Sequence, residues 1–293
     1  MTKVLITGGS GFIGRNLVEC LGDRFKISAP SSAEVNLLDE HSVRDFLRRE
    51  GFDVIVHAAT TRSNRGLGAP PDMLDRNCRM FFNLARNQAL FGKMLHFGSG
   101  AEYSRECLPA RVAESYFDTR VPRDVYGFSK YICTKYAKLA GNIFVLRLFG
   151  VFGRYEAWDV RFISNACARV VKGLPIAIRQ NVAFDYLYID ELAKLTAWFI
   201  ENEPRQKTYN VCRGRTYTLL ELARMVAAVS GRDPEITVRN QGMGPEYSGD
   251  NTRMLNEMGG YKFREMEECV RELYEWYEAH AGQIDAERLR FDE

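Results

Sequence analysis

Histidine is scarce in this chain, with four among 293 residues, and none of the seven cysteines form a C-x-x-C pair. Neither a zinc framework nor a disulfide scaffold is expected, no metal is assigned, and the odd cysteine count fits reduced thiols. No charge of one sign is in excess: 40 basic against 38 acidic side chains leave a net charge of +2. That balance argues against the broad positive field of a nucleic-acid-binding surface. Apolar runs fall short of the roughly 18 residues that cross a bilayer. The start, Lys3-Val4-Leu5-Ile6-Thr7, reads as a strand and not as a signal segment, so no membrane partner and a cytoplasmic location are expected. Repeats and low-complexity tracts are missing as well. The hydrophobic fraction, 46%, is enough to bury one large α/β core, or a core with a smaller attached lobe.

The first half alternates short β-rich apolar runs with amphipathic stretches. Strands are expected at 3–7, 26–29, 53–58, 94–98 and 143–149, and helices at 13–22, 41–50, 72–91 and 125–140. Repeated βαβ units with right-handed crossovers predict a doubly wound parallel sheet of the Rossmann type over residues 1–150. Beyond residue 150, Gly and Pro breaks interrupt the pattern and suggest a smaller C-terminal α/β lobe over 151–293, with the chain crossing between lobes more than once. Thr218 and Glu221 form a capping box that opens a helix ending at Gly231. The tail from His280 to Glu293 has little to bury and is expected to fray or act as a contact arm.

Thr7-Gly8-Gly9-Ser10-Gly11-Phe12-Ile13-Gly14 follows the first strand and opens a helix. In that context glycines permit a tight reversal, close approach of backbone N–H groups to a pyrophosphate, and close packing of helix on strand. Gly8, Ser10, Gly11, Phe12, Ile13 and Gly14 are therefore candidate dinucleotide contacts. The second strand ends in Ile27-Ser28-Ala29-Pro30-Ser31-Ser32 without the acidic residue that would bind a ribose 2′-hydroxyl. NADP(H) is favoured on that ground, with Ser31 and Ser32 as donors to a 2′-phosphate and Arg15 as a cationic partner, and NAD(H) stays open.

Tyr126 and Lys130 stand four residues apart, on one face of an expected helix. A tyrosine of ordinary pKa, about 10, is a poor acid or base at neutral pH, and a neighbouring ammonium favours its phenolate. Ser99, in His96-Phe97-Gly98-Ser99-Gly100-Ala101-Glu102-Tyr103, falls at the carboxyl edge of the fourth strand, where open α/β sheets bind ligands. His57, at a buried strand end, is read as a packing residue.

The TGGSGFIG turn, Ser99, and Tyr126-Gly127-Phe128-Ser129-Lys130 together resemble the extended short-chain dehydrogenase/reductases of the NAD-dependent epimerase/dehydratase family. Further matches are Asp53-Val54-Ile55-Val56-His57-Ala58-Ala59, Asn77, Arg147 to Gly153, Asp190-Glu191 and Tyr209-Asn210-Val211; within Arg147 to Gly153, Gly150 and Phe152 replace Asn and Tyr. The resemblance implies a catalytic triad of Ser99, Tyr126 and Lys130. It also implies cofactor contacts at Asn36, Leu37, Ala58, Ala59, Asn77, Tyr126, Lys130, Phe149 and Val151, and a homodimer through two helices per subunit, with the helices at 72–91 and 125–140 as candidates either for that contact or for packing in the core.

The compact Glu34 to Asp39 connection is similar to that of GDP-fucose synthases and dTDP-4-dehydrorhamnose reductases, which reduce 4-keto nucleotide sugars. A 4,6-dehydratase would carry an Asp-Glu pair where this chain has Gly100 and Ala101. The epimerising Cys and His of fucose synthases correspond to Ala101 and Arg161. A 4-ketoreductase acting on a nucleotide-diphosphate sugar is therefore expected, with a nucleotide-sugar 4-epimerase holding NAD as the rival enzyme and a catalytically silent dinucleotide-binding sensor or complex subunit as the non-enzymatic rival. Substrate contacts are expected from Thr60, Ser99 and Gly100, and diphosphate contacts from Arg154, Arg161 and Arg253 with Asn165. Phe184 replaces an Arg common in the family.

Overall fold

A computed structural model describes residues 1–61 and 68–289. The β-branched and aliphatic runs near the start form β1 (Lys3–Thr7), β2 (Lys26–Ser28), β3 (Phe52–His57), β4 (Phe91–Ser99) and β5 (Ile143–Leu148). Four helices alternate with them: α1 (Phe12–Leu21), α2 (Glu40–Glu50), α3 (Met73–Ala85) and α4 (Val125–Ala137). The second half adds β6 (Gly150–Phe152), α5 (Phe162–Val171), β7 (Ile176–Asn181), β8 (Ala183–Tyr188), α6 (Ile189–Glu201), β9 (Thr208–Val211), β10 (Thr216–Thr218), α7 (Leu219–Ser230), β11 (Ile236–Met243), α8 (Thr252–Met258), α9 (Met266–Ala279) and α10 (Ala286–Leu289).

The six-stranded sheet has the order β2-β1-β3-β4-β5-β9, and every neighbouring pair is parallel. This is the Rossmann-type sheet expected from the sequence. β9 lies beyond residue 150 and yet pairs with β5, so the chain re-enters the large sheet after building part of the smaller lobe. The lobe itself carries a mixed three-stranded sheet, β10-β8-β6, and a parallel β7 and β11 pair.

Both faces of the large sheet are buried, as a parallel sheet requires. Val4 and Ile6 point into one apolar cluster with Leu17 of α1, while Leu5 points into the other with Val43, Phe46, Leu47 and Phe81 of α2 and α3. The first cluster continues into α5, α6, α7 and α9, so large sheet and small lobe share one core. α3 ends at Ala85, short of the expected stretch; a 3-10 turn over Gln88–Leu90 follows, and Phe91 already begins β4. The Thr218 and Glu221 capping box forms as expected, with Gly231 left-handed at φ 64°. The tail is partly anchored: Ile284 and Leu289 are buried, and the buried Arg169 guanidinium donates to the Leu289 carbonyl. Residues 290–293 of that tail lie outside the described residues. No described helix is long and apolar enough to cross a membrane.

Candidate active site

β1 stands where the strand order reverses, since β2 lies on one side of it and β3 on the other, and crevices open at such points. The turn there needs its glycines. Gly8 has φ +73°, and a Cβ on Gly14 would lie 2.1 Å from the Gly8 carbonyl oxygen. Gly11 caps α1 without any side-chain hydrogen bond, and the first turn holds no acidic residue. The positive end of α1 is thus left uncompensated by the chain, and its amides fit a phosphate anion.

Beyond this turn a cavity of about 840 Å³ is lined by Phe12 and Ile13, by Ala58 and Thr60 after β3, by Ser99, and by Tyr126 and Lys130 of α4. Phe149, Val151 and Arg161 continue its wall. Two separate elements, β4 and α4, therefore bring the predicted Ser, Tyr and Lys to one cleft. Asp124 caps α4 by accepting from the Gly127 amide at 2.8 Å, which fixes the helix start beside the cavity. Lys130, only 4% exposed, donates to the Phe97 carbonyl at 2.8 Å and is thereby held against β4. An ammonium has three donors, so that one bond leaves others for a ligand.

Ser99 is fixed by a capping box: its Oγ accepts from the Ala101 amide at 3.2 Å and its amide donates to Glu102 Oε1 at 2.9 Å. Glu102 in turn accepts from Thr134 at 2.8 Å and from Arg147 Nε at 2.7 Å, both carboxylate and guanidinium being 0% exposed. Arg147 also donates to the Tyr103 hydroxyl, which donates to Asn210 Oδ1 at 2.6 Å. A charge pair this deep is costly to break from one side, so it locks the end of β4. Asn210 thus acts in the scaffold.

Other predicted residues sit around the cleft or away from it. Asn77 accepts from the Thr61 amide at 2.7 Å and donates to the Thr61 carbonyl, so it clamps the segment after β3. Ala59 closes on Gly8, and a Cβ on Gly100 would come 2.7 Å from the Tyr247 hydroxyl. The Asn36 side chain accepts from the Leu38 amide, and the Leu37 carbonyl accepts from Asn83. His57 bonds Thr7 Oγ1 at 2.8 Å, and burial pushes its imidazole down to about 3, so it is neutral and structural.

Three predicted diphosphate contacts are engaged by other groups of the chain in this structure. Arg154 pairs with Asp190 at 3.3 Å and does not line the cavity. Arg253 donates to the Thr208 carbonyl at 3.0 Å and pairs with Glu114 at 3.6 Å, again away from the cavity lining. Asn165 accepts from Arg169 at 3.0 Å, also off the lining. Each is engaged by scaffold groups, which leaves Arg161 as the predicted cation on the wall. The end of β2 differs too: Ser31 donates through its amide at 2.8 Å and its hydroxyl at 2.9 Å to Glu34, a carboxylate that folds back from three residues on. Ser32 lies beside it, exposed, while Arg15 stacks over Tyr155 at 3.6 Å and pairs with Glu19.

The cavity also gathers residues that no motif marked. Arg105, Glu156, Tyr186, Glu246 and Tyr247 join the wall, together with Phe184, the position that replaces an Arg common in the family. Tyr247 packs on Phe149 at 5.2 Å and on Phe184 at 5.7 Å, and burial raises its phenol to about 12. No local signal pointed to Arg105 or Tyr247, which lie in irregular segments without periodicity.

An open parallel sheet with an anion-ready helix start at its switch point, and a phenol and ammonium in the same cleft, defines a Rossmann-type protein of the short-chain dehydrogenase/reductase class. More particularly, residues 4–212 match the NAD dependent epimerase/dehydratase family, and the chain belongs to that family. It is 28% identical to a GDP-6-deoxy-D-talose 4-dehydrogenase of Aggregatibacter actinomycetemcomitans, over 93% of this chain and 97% of that protein. It is 24% identical to a GDP-L-fucose synthase of Escherichia coli K12, over 94% and 96%. Among solved structures, a GDP-mannoheptose C4 reductase from Campylobacter jejuni with NADP bound superposes with a TM-score of 0.82 at 20% identity, covering 94% of this chain and 98% of that one. A UDP-glucose 4-epimerase from Thermotoga maritima with UDP-glucose gives 0.80 at 20% identity, covering 95% and 99%. Both share the fold.

Proposed function

We propose that the protein reduces the keto group of a 4-keto-6-deoxy nucleotide-diphosphate sugar with NADP(H). What supports this reading most is the convergence of Ser99, Tyr126 and Lys130 on one cavity whose positions 100 and 101 are Gly and Ala, without the acid and base that dehydration or C3/C5 epimerisation would need. The match to a sugar-4-dehydrogenase points the same way.

A nicotinamide cofactor, when bound, would supply the hydride for the carbonyl carbon. Tyr126 gives its phenolic proton to the carbonyl oxygen, Ser99 orients that oxygen, and Lys130, held by the Phe97 carbonyl, binds the ribose and steadies the phenol. The turn residues Gly8, Ser10, Gly11, Phe12, Ile13 and Gly14 take the pyrophosphate. Arg161 and Arg105 take the substrate diphosphate, and the apolar wall of Phe149, Phe184 and Leu108 suits a deoxygenated sugar carbon.

The NADP(H) preference rests on the missing acid at the end of β2. Glu34 weighs against it, because a 2′-phosphate on Ser31 would meet that carboxylate. The same carboxylate favours the second reading, a nucleotide-sugar 4-epimerase with tightly held NAD. Incubation of the protein and NADPH with a panel of 4-keto-6-deoxy nucleotide sugars should oxidise the cofactor. Absence of turnover across the panel, or isolation of protein carrying NAD that interconverts 4-epimers, overturns the reductase reading. If Tyr126→Phe left the biological role intact while nucleotide binding persisted, a sensor function would replace both.

A further inference from the structure

Residues 153–161 run from β6 to α5 without regular structure, and Glu156, Val160 and Arg161 of this segment line the cavity. Its two halves are held by different parts of the molecule. The first half is tied to the cofactor end: Asn16 of α1 donates to the Arg154 carbonyl at 2.9 Å, and Arg15 stacks on Tyr155 at 3.6 Å. The second half is a tight turn in which the Val160 and Arg161 amides both donate to the Ala157 carbonyl, at 3.0 and 2.9 Å. Val160 and Arg161 face the cavity, whereas the tip residues Trp158 and Asp159 lie outside its lining. The tip is held by the C-terminal tail instead. The Arg288 guanidinium lies over the Trp158 ring at 5.1 Å and pairs with the Asp159 carboxylate.

The tail that supplies Arg288 is itself anchored on α5, the helix this turn opens. Leu289 is buried in the main apolar cluster, and its carbonyl accepts from Arg169 of α5. Arg169 is buried too, and it also donates to Asn165 at 3.0 Å and to the Pro175 carbonyl at 3.1 Å. Arg288 therefore reaches the turn from a fixed base. Arg161 stands between the two grips, as the residue before the first turn of α5, and its side chain makes no capping bond there. A long side chain on a loop binds an anion well only when the loop is settled beforehand, because ordering it on binding subtracts from the affinity.

We propose that Arg288 is a positioning residue for the sugar end of the cleft: by gripping Trp158 and Asp159 it fixes the turn that carries Arg161 to the substrate diphosphate. The inference rests on the reading of Arg161 as a diphosphate contact. Exposure sets the size of the effect. The Arg288 side chain is 56% exposed and that of Asp159 16%, and an ion pair and cation–π contact of this exposed kind can shift the loop's populations by about fivefold and not by orders of magnitude. Arg288→Ala should therefore weaken binding of a nucleoside diphosphate about fivefold and raise KM for the nucleotide sugar in proportion, with kcat, the Kd for NADPH and Tm little changed. Arg288→Lys, which keeps a cation beside Asp159, should recover part of the loss. In an Arg161→Ala background, Arg288→Ala should cost nothing further, because the group it positions is gone.

The test is calorimetric titration of GDP, UDP, CDP, dTDP and ADP into the full chain saturated with NADPH, with the tightest binder carried through the variants. Failure of all of them to bind the unmodified protein would overturn the nucleotide-sugar reading of the cleft, and the role of Arg288 with it. Where one binds, the positioning role stands or falls alone. Losses that multiply in the Arg161→Ala and Arg288→Ala double variant, an equal loss of NADPH affinity, or an Arg288→Ala protein that binds as tightly as the unmodified one would each overturn it. An Arg288→Ala protein that fails to fold would make the contact a structural one and overturn it as well.

Discussion

The two ends of the cleft are built by different means. At the cofactor end, recognition comes from backbone: a turn with Gly8 at φ +73° and an α1 start left without any capping side chain. At the sugar end it comes from side chains on separate segments, with Arg105 and Leu108 from one loop, Val160 and Arg161 before α5, Phe184 and Tyr186 from β8, and Glu246 and Tyr247 from the stretch before α8. Backbone amides and a helix end recognise any phosphate. Side chains brought together from distant segments can tell one small molecule from another.

The reaction centre joins the two ends, and its loss should be the largest effect. Tyr126→Phe should lower kcat by roughly three orders of magnitude while the dissociation constant for the dinucleotide, read by fluorescence titration, changes little. Damage at the cofactor end comes next. Gly14→Ala places a methyl 2.1 Å from the Gly8 carbonyl oxygen, backbone against backbone, and should cost about 3 kcal/mol or more of stability together with cofactor binding. Gly141→Ala, where nothing stands within 4 Å, is the matched control and should leave the melting temperature unchanged.

The sequence makes the first end legible because phosphate binding by a helix start needs only glycines at fixed spacing directly after a strand. Tyr126 and Lys130 are legible for a similar reason, as four residues on a helix amount to one turn. The sugar end is not. Arg154 and Arg253 look like Arg161 in the sequence, and what separates them is tertiary: Asp190 takes one and Glu114 the other. Glu34 was hidden because its carboxylate reaches Ser31 by a turn and not along the strand. The strand β9 was hidden because a four-residue run carries too little periodicity to announce its place beside β5.

Acid should weaken the scaffold under both ends. His57 and His96 are buried and stacked at 5.2 Å, and burial, with Lys130 nearby, holds both imidazoles below their ordinary value. Their contribution to stability is complete above the unfolded value of about 6.5 and is lost below it, by about 1.4 kcal/mol per pH unit for each. Asp185, raised by burial to about 6, acts in the opposite sense over its own range. The clean readout is therefore a difference: His96→Phe, which also removes two ring nitrogens without hydrogen-bond partners among the described residues, should halve the histidine slope in urea midpoints measured between about pH 7 and pH 5.

Smaller effects sharpen the contrast between engaged and available arginines. Arg161→Ala should raise KM for the nucleotide sugar roughly tenfold, whereas Arg253→Ala should leave KM alone and lower stability by about 1 kcal/mol. The smallest change lies at the rim of the cofactor end. Glu34→Gln should shift the ratio of kcat/KM for NADPH over NADH upward by roughly threefold, the scale of one exposed charge.

The most direct test follows an isotope. With NADPH deuterated at the transferable position and a 4-keto-6-deoxy nucleotide sugar, each turnover should leave one deuterium on sugar carbon 4, detected by mass spectrometry and proton NMR, and Tyr126→Phe should abolish the transfer. A 4-keto sugar recovered unreduced and unlabelled, together with interconversion of a 4-hydroxy nucleotide sugar and its 4-epimer when that sugar is supplied instead, would contradict the reduction and give the cleft to epimerisation.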